Sequence, residues 1–357
     1  TNDRWYATGF GTQLKALGNH NLKWETTNKL NMGTDLQFWH ERISLNFDYY
    51  YNKTVDLITD VSLPASAGFT SYKDNLGETL NKGFDIQVRF DVYKDKDWNV
   101  SLWGNLNHNR NEILKISDAL RAYNQRVNEK YEAAENAQGN VHLSEWGSEY
   151  SEPEMKYEEG ASLTSIFAIR SLGIDPMTGN ELFLYRDGSV SSLWKATETV
   201  RVGDEEPKAS GSFGVNLTYK NLTLFASFAY DWGKQTYNQT LVDGVENADI
   251  ENSNVDRRVL TQRWQKPGDI APLRNIKDMN TSTMPTSRFV QDDNELSLSA
   301  LTLSYDFDPL WLRKIFLKTL RLEVSTNELF RLSSIKQERG TSYPFARTVN
   351  FSLRATF

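Results

Sequence analysis

The chain reads as all-β, an antiparallel transmembrane β-barrel, on two observations. Apolar and polar residues alternate strictly along many segments, and the connections between those segments are alternately short and long. The alternation is clearest at the end of the sequence. Val349, Phe351, Leu353, Ala355 and Phe357 share one face, and Thr348, Asn350, Ser352, Arg354 and Thr356 share the other. Bacterial outer-membrane barrels commonly finish on an aromatic strand, so Phe357 is the expected assembly signal.

The same period recurs along the chain. Leu30, Met32, Leu36 and Phe38 alternate with Asn31, Gly33, Asp35 and Gln37, and Ile43 to Tyr51 repeat the pattern. Phe84 to Val92 and Trp98 to Asn107 follow, then 213–219, 222–232, 301–307 and 320–326. Weaker alternation at 164–174 and 180–187, joined by the turn Asp175-Pro176-Met177-Thr178-Gly179, reads as two further strands. Eleven strands are therefore expected: 27–38, 41–53, 79–93, 98–113, 164–174, 180–187, 209–219, 222–234, 295–307, 318–330 and 347–357. A phase slip at Ala300-Leu301 predicts a bulge.

Trp39 to Arg42, Lys94 to Asp97 and Lys220-Asn221 are tight hairpins, whereas 54–78, 114–163, 188–208, 235–294 and 331–346 are long and polar. Short turns on one side and long loops on the other are the habit of barrels whose turns face the periplasm. Bulk composition agrees. Mean hydropathy is −0.59, which a strand with one wet face tolerates. The 10 Trp, 16 Tyr and 18 Phe suit interfacial girdles, and Tyr49, Tyr51, Trp98, Tyr219, Tyr230, Trp232 and Phe307 fall near strand ends. A net charge of −7 with mixed signs forms no basic footprint for nucleic acid, and the absence of Cys removes thiolate chemistry.

With the last strand running toward the periplasm, the first runs the same way, which places 1–26 outside. An odd count and an outside start depart from a complete barrel. The chain is expected to be the C-terminal part of a larger one, with the plug and first half elsewhere.

Particular stretches then carry a resemblance. They are Asn21 to Asn28, Asp48 to Thr54, Leu63 to Phe69, Asn75 to Glu78, Asn81 to Phe84, Gly173 to Asn180, Arg263 to Asp269 and Thr286 to Val290. In this order the chain resembles the C-terminal half of a SusC/RagA-type TonB-dependent outer-membrane transporter of Bacteroidetes. The resemblance implies a plugged barrel of about 22 strands, of which about eleven lie here, energised through TonB and capped by a SusD-like lipoprotein. It implies import of oligosaccharides or, alternatively, oligopeptides. The TonB complex would act through the N-terminal part.

Candidate residues fall into four sets. Asp35, Asp48, Asp85, Arg89, Asp91, Arg321, Glu323 and Arg354 sit on the polar phase, and a water-filled or plugged lumen is the environment that tolerates them. Trp146, Tyr150, Tyr157, Trp194 and Trp264 lie in outer loops, where an aromatic face stacks on a sugar or packs on a neighbour. Asp249, Glu251 and Asp256 make an oxygen-rich loop of the chemistry calcium prefers, without the glycine and terminal Glu of an EF-hand. No other cofactor is expected. Finally, Ile113, Ile116, Leu120, Tyr123, Val127 and Tyr131 recur at three and four residues, the spacing of an amphipathic loop helix that packs on the rim or meets the lipoprotein. The acidic tract from Glu145 to Glu159 reads as a solvated face.

The four histidines fit no HExxH pattern and no GxSxG elbow is present, so no enzyme is expected. An outer-membrane protease or phospholipase would need a catalytic constellation near the rim. An adhesin or structural barrel would leave the matched stretches unexplained.

Overall fold

The computed structural model describes residues 2–6, 9–13, 16–62, 68–69, 71–75, 77–137, 150–248, 250, 254–275, 282–312, 316–335 and 347–357. Nine long strands form one antiparallel meander: β1 (Thr26–Phe38), β2 (Ile43–Val55), β3 (Gly77–Lys94), β4 (Trp98–Ile116), β5 (Ala209–Tyr219), β6 (Leu222–Tyr237), β7 (Val290–Asp306), β8 (Thr319–Asn327) and β9 (Thr348–Thr356). Each pairs with its neighbour in sequence order, and the short strand Arg331–Ser333 pairs with the outer part of β7. The sheet is open, with β1 and β9 at its edges.

The eleven-strand expectation is corrected on two segments. Residues 164–174 and 180–187 do not join this sheet. They form Ser165–Ala168, paired with Val200–Asp204, and a small sheet of Arg170–Ile174, Glu181–Leu184 and Val190–Ser191. These pieces are two to five residues long, too short for a spanning strand of about nine to eleven. Ser165–Ala168 is buried along its whole length, the mark of an interior strand.

Register confirms the two faces. Asp35 stands opposite Asn46, which stands opposite Gln87, and Arg89 faces Ser44. Asp48 faces Asp85, Asp91 faces Ser101, Arg321 faces Asp306 and Arg354, and Glu323 faces Ser304 and Ser352. All eight charged candidates therefore share one side of the sheet. The other side carries Leu36, Leu45, Val88, Leu102, Val215, Ala226, Leu301 and Phe351, and it stays uncovered: Phe351 is 76 % and Leu353 67 % exposed. A water-exposed apolar face this extensive marks an interaction with something apolar. Among the described residues no helix is long and apolar enough to cross a membrane, which says nothing of strands.

The expected bulge lies at Ser299: Ser227 pairs with Ala300 and Phe228 with Leu298. At one end of the sheet the turns are short, and Lys220 takes φ 50°, the sign a two-residue hairpin demands. At the other end the long connections fold into a layer of their own. Its helix, α1 (Asp118–Ala137), starts five residues later than its apolar spacing suggests, because Ile113 and Ile116 still belong to β4. The Ser117 hydroxyl accepts from the Leu120 amide and caps it.

Candidate functional site in the outer loops and on the polar face

Three apolar clusters hold the loop layer together. Val127 and Tyr131 of α1 pack with Ile169, Phe183, Tyr185, Trp194, Ala196 and Met284. Leu120 meets Leu57, Tyr72, Tyr123, Tyr157 and Leu163, and Val245, Val259 and Leu273 form a third group. The helical stripe read from the sequence is therefore the face α1 buries.

Polar contacts join the layer to the barrel rim on the polar side. Glu206 accepts from the Asn109 amide group and from the Asn111 backbone at 2.9 Å, while Asn111 Oδ1 accepts from the Leu163 backbone at 2.9 Å. Asp204 gathers the hydroxyls of Ser162 at 2.6 Å and Thr164 at 2.8 Å. Deeper in the layer, Arg288 donates to Glu181 at 2.8 Å and Glu246 at 2.6 Å, with the Glu246 side chain wholly buried. Arg263 adds donations to the Val245 and Glu246 carbonyls at 2.5 and 2.9 Å.

A polar cleft of about 500 Å³ opens in this layer, lined by Arg121, Asn124, Asn128, Lys156, Arg186 and Thr199 with Tyr157 and Phe167 at its sides. Lys156 forms a fixed part of the wall: its ammonium donates to Asn128 at 2.5 Å, Thr199 at 2.6 Å and the Ala196 carbonyl at 3.3 Å. Burial, with Arg186 nearby, holds that ammonium down to about 8. Arg186 is exposed and donates through Nη2 to the Thr199 carbonyl at 2.6 Å, and the Asn124 amide donates to and accepts from the Tyr157 backbone at 2.6 and 3.0 Å. Amides, hydroxyls and a guanidinium beside two rings make a surface that fits a polyhydroxylated or amide-bearing chain.

The aromatic candidates part company here. Tyr157 borders the cleft, its ring 5.7 Å from Tyr123, and burial raises its phenol. Tyr150 packs on the first cluster with the Lys130 ammonium 5.3 Å over its ring. Trp194 is 7 % exposed and donates its indole N–H to the Pro285 carbonyl at 3.0 Å. Trp264 is 6 % exposed, donates to the Pro176 carbonyl at 2.9 Å, and lies so close to Gly179 that a Cβ there would come within 2.6 Å of its ring. Both indoles are interior anchors of the layer. Trp146 lies outside the described residues, as do Asp249 and Glu251. Asp256 is held by Arg258, whose Nη2 and Nε donate at 2.8 and 2.9 Å. Among the described residues no group of three or more His, Cys, Asp or Glu is placed to hold a metal.

Arg186, Asn124, Asn128 and Thr199 were not among the sequence candidates. They come from segments some sixty residues apart, and no local spacing announces them. On the polar face two rings were also missed: Trp103, opposite Arg89, stacks on Phe225 at 6.4 Å.

Comparison with known proteins places this architecture. Residues 2–162 match the family described as TonB dependent receptor-like, beta-barrel. TonB-dependent receptor P3 of Formosa agariphila is 29 % identical over 329 residues, covering 89 % of this chain and 31 % of that protein. TonB-dependent receptor SusC of Bacteroides thetaiotaomicron is 25 % identical over 315 residues, covering 87 % of this chain and 28 % of that protein. The solved RagAB peptide transporter superposes with a TM-score of 0.70 at 23 % identity, over 94 % of this chain and 35 % of that one, a likeness of fold. The chain thus shares its fold with part of a TonB-dependent receptor β-barrel, and its similarity to TonB-dependent receptors, SusC among them, runs along most of its length. The chain spans about a third of the length of these relatives.

Proposed function

We propose that the chain is wall, lumen lining and outer loop layer of a TonB-dependent outer-membrane importer of large nutrients, oligosaccharides first. The observation that supports this best is the pairing of a one-sided polar wall with a polar cleft folded over its long-loop end. A SusD-like lipoprotein covers the loops, and the TonB complex acts through a part of the protein outside this chain. The apolar face lies against outer-membrane lipid. The chain contributes capture and passage and no covalent chemistry.

Oligosaccharide is favoured over peptide by the cleft's lining. Arg186, exposed and holding the Thr199 carbonyl with one N–H at 2.6 Å, has further N–H groups for hydroxyl oxygens, Glu158 and Glu159 on the cleft wall accept from hydroxyls, and Tyr157 and Phe167 offer ring faces. The test is calorimetric titration of the full-length receptor with oligosaccharides, neutral and acidic, and with oligopeptides. Arg186→Ala and Asn124→Ala each weaken oligosaccharide binding by about 5- to 30-fold, the loss of about 1–2 kcal/mol. Binding of peptides alone, or binding indifferent to both substitutions, overturns the reading. The similarity in fold to a peptide transporter makes peptide the second reading.

A further inference from the structure

The charges lining the cleft do not cancel. Arg121 has Glu159 and Asp118 each at 3.9 Å. Lys156 has no carboxylate partner among the described residues, although Glu152, Glu154, Glu158 and Glu159 all lie within four residues of it in sequence. Its ammonium donates instead to the neutral oxygens of Asn128, Thr199 and Ala196. Glu154 is taken by Lys130 at 2.6 Å, and Glu159 accepts from the Ile116 backbone at 3.4 Å. Glu158 on the cleft wall is exposed and reaches Lys156 only through space.

Arg186 ends on the same threonine. Its Nη2 donates to the Thr199 carbonyl and the Thr199 hydroxyl accepts from the Lys156 ammonium, both at 2.6 Å, so one residue holds two cations. Glu198 is directed to the Arg186 backbone, whose amide it accepts at 2.8 Å. Arg201, two residues past Thr199, repeats the pattern: it is exposed and donates Nη1 to the Gly160 carbonyl at 3.0 Å. After burial, repulsion from Arg186 is the next cause holding the Lys156 ammonium down. Folding alone does not call for this arrangement. A buried ammonium without a carboxylate is unfavourable, and a neutral amide would donate to such oxygens at lower cost. The surplus positive charge is explained by an anionic group that enters the cleft.

We propose that the cleft wall at Thr199 is a subsite for the anionic group of an acidic oligosaccharide, a carboxylate or a sulfate ester, with Arg186 donating to its oxygens and Lys156 fixing a positive charge behind them. The two cations divide the work by geometry. Lys156 has three acceptors already and acts through its charge. Arg186 keeps further N–H groups in the planar fork that carboxylate and sulfate oxygens accept in pairs. Glu158 and Glu159 remain for the hydroxyls of the same chain. The inference rests on the reading of this cleft as an oligosaccharide site.

The test is calorimetry on the full-length receptor with tetrasaccharides of several uronic acids, each as the free acid and as its neutral methyl ester, and with sulfated tetrasaccharides beside their unsulfated parents. At least one charged member binds about ten-fold or more tightly than its neutral counterpart at low salt. That ratio falls toward one in molar salt, where the screening length is about 3 Å. Arg186→Gln keeps a donor for hydroxyls but removes the charge, and it narrows the ratio about ten-fold. Arg186→Lys retains part of the ratio, and Lys156→Gln narrows it without removing a ligand contact. Neutral chains that bind as tightly as their charged counterparts overturn the anionic subsite and leave the oligosaccharide reading standing. A ratio unchanged in both glutamine variants puts the anion elsewhere and overturns the subsite too, as does a set in which no charged member binds. Binding of oligopeptides and of no saccharide overturns the reading on which the subsite rests.

Discussion

Asp48 and Asp85 stand directly opposite each other on the polar face, yet each carboxylate leans away from the other. Asp48 lies over Gly33 on β1, where a Cβ would meet its Oδ1 at 2.2 Å, and Asp85 accepts from Asn107 on β4. Like charges facing each other across a ladder repel, and the empty space at Gly33 lets this pair separate.

Filling that space tests the arrangement. Gly33→Ala pushes the Asp48 carboxylate back toward Asp85 and destabilises the barrel by about 0.5–1 kcal/mol. Adding Asp85→Asn removes the repulsion and most of that penalty, a coupling that a double-mutant cycle in urea-dependent unfolding of the protein reads directly. Strict additivity of the two substitutions would show that the leaning has no energetic consequence.

The loop layer carries its own buried ion pairs. Arg288 bridges Glu181 and Glu246 from positions that are distant in sequence, and its ring neighbour Phe289 lies 4.4 Å beneath the guanidinium. Removing one partner of a buried pair strands the others without compensation, at a cost of about 3–5 kcal/mol. Arg288→Ala should therefore open the 239–289 connection to limited proteolysis while the heat-modifiable shift of the barrel stays unchanged. Resistance equal to the parent protein would mean the network is dispensable.

The nine long strands were legible because a period of two persists for nine to nineteen residues, and among the described residues no loop strand sustains it that long. The same cue misled at 164–174 and 180–187. Over four or five residues, alternation does not separate a spanning strand from a hydrogen-bonded loop strand, and length was the discriminating observation. For α1 the apolar spacing ran on into β4 by coincidence, whereas Ser117 marked the true start. The roles of Trp194 and Trp264 were not legible at all. A tryptophan in a polar loop looks the same in sequence whether it awaits a ligand or fills a core, and only the Pro285 and Pro176 carbonyls decide it. The cleft was invisible for a related reason, since its lining is assembled from separate loops.

Lys156 gives the loop layer a pH dependence of definite sign. Burial holds its folded value down to about 8, below the ordinary 10.5, so between those pH values the unfolded chain binds a proton that the folded chain has released. Stability therefore rises as pH climbs through that window, and the penalty is fully present below it. Burial keeps the neighbouring Tyr123 phenol up at about 12, so it stays protonated throughout. Thermal unfolding of the loop layer followed from pH 7 to pH 10 should show the rise, and Lys156→Met should flatten it. A parallel slope in both proteins would assign the effect to another group.

Phe351 and Ser352 are neighbours in sequence on opposite faces near the middle of β9, opposite Val324 and Glu323. On the proposed lipid-facing assignment, an arginine at 351 enters the apolar face, where a cation at membrane depth costs up to about 2–4 kcal/mol. An arginine at 352 enters the polar face beside Glu323, where the change stays within about 0.5 kcal/mol. Folding of full-length Phe351→Arg and Ser352→Arg into lipid vesicles, followed by urea titration, compares two substitutions that differ by one position and share the same incoming residue. The incoming residue and the strand are the same, so the difference reports the face together with the side chain each position gives up. Equal penalties would place both positions in the same environment and break the strand phase on which the lumen set, from Asp35 to Arg354, depends.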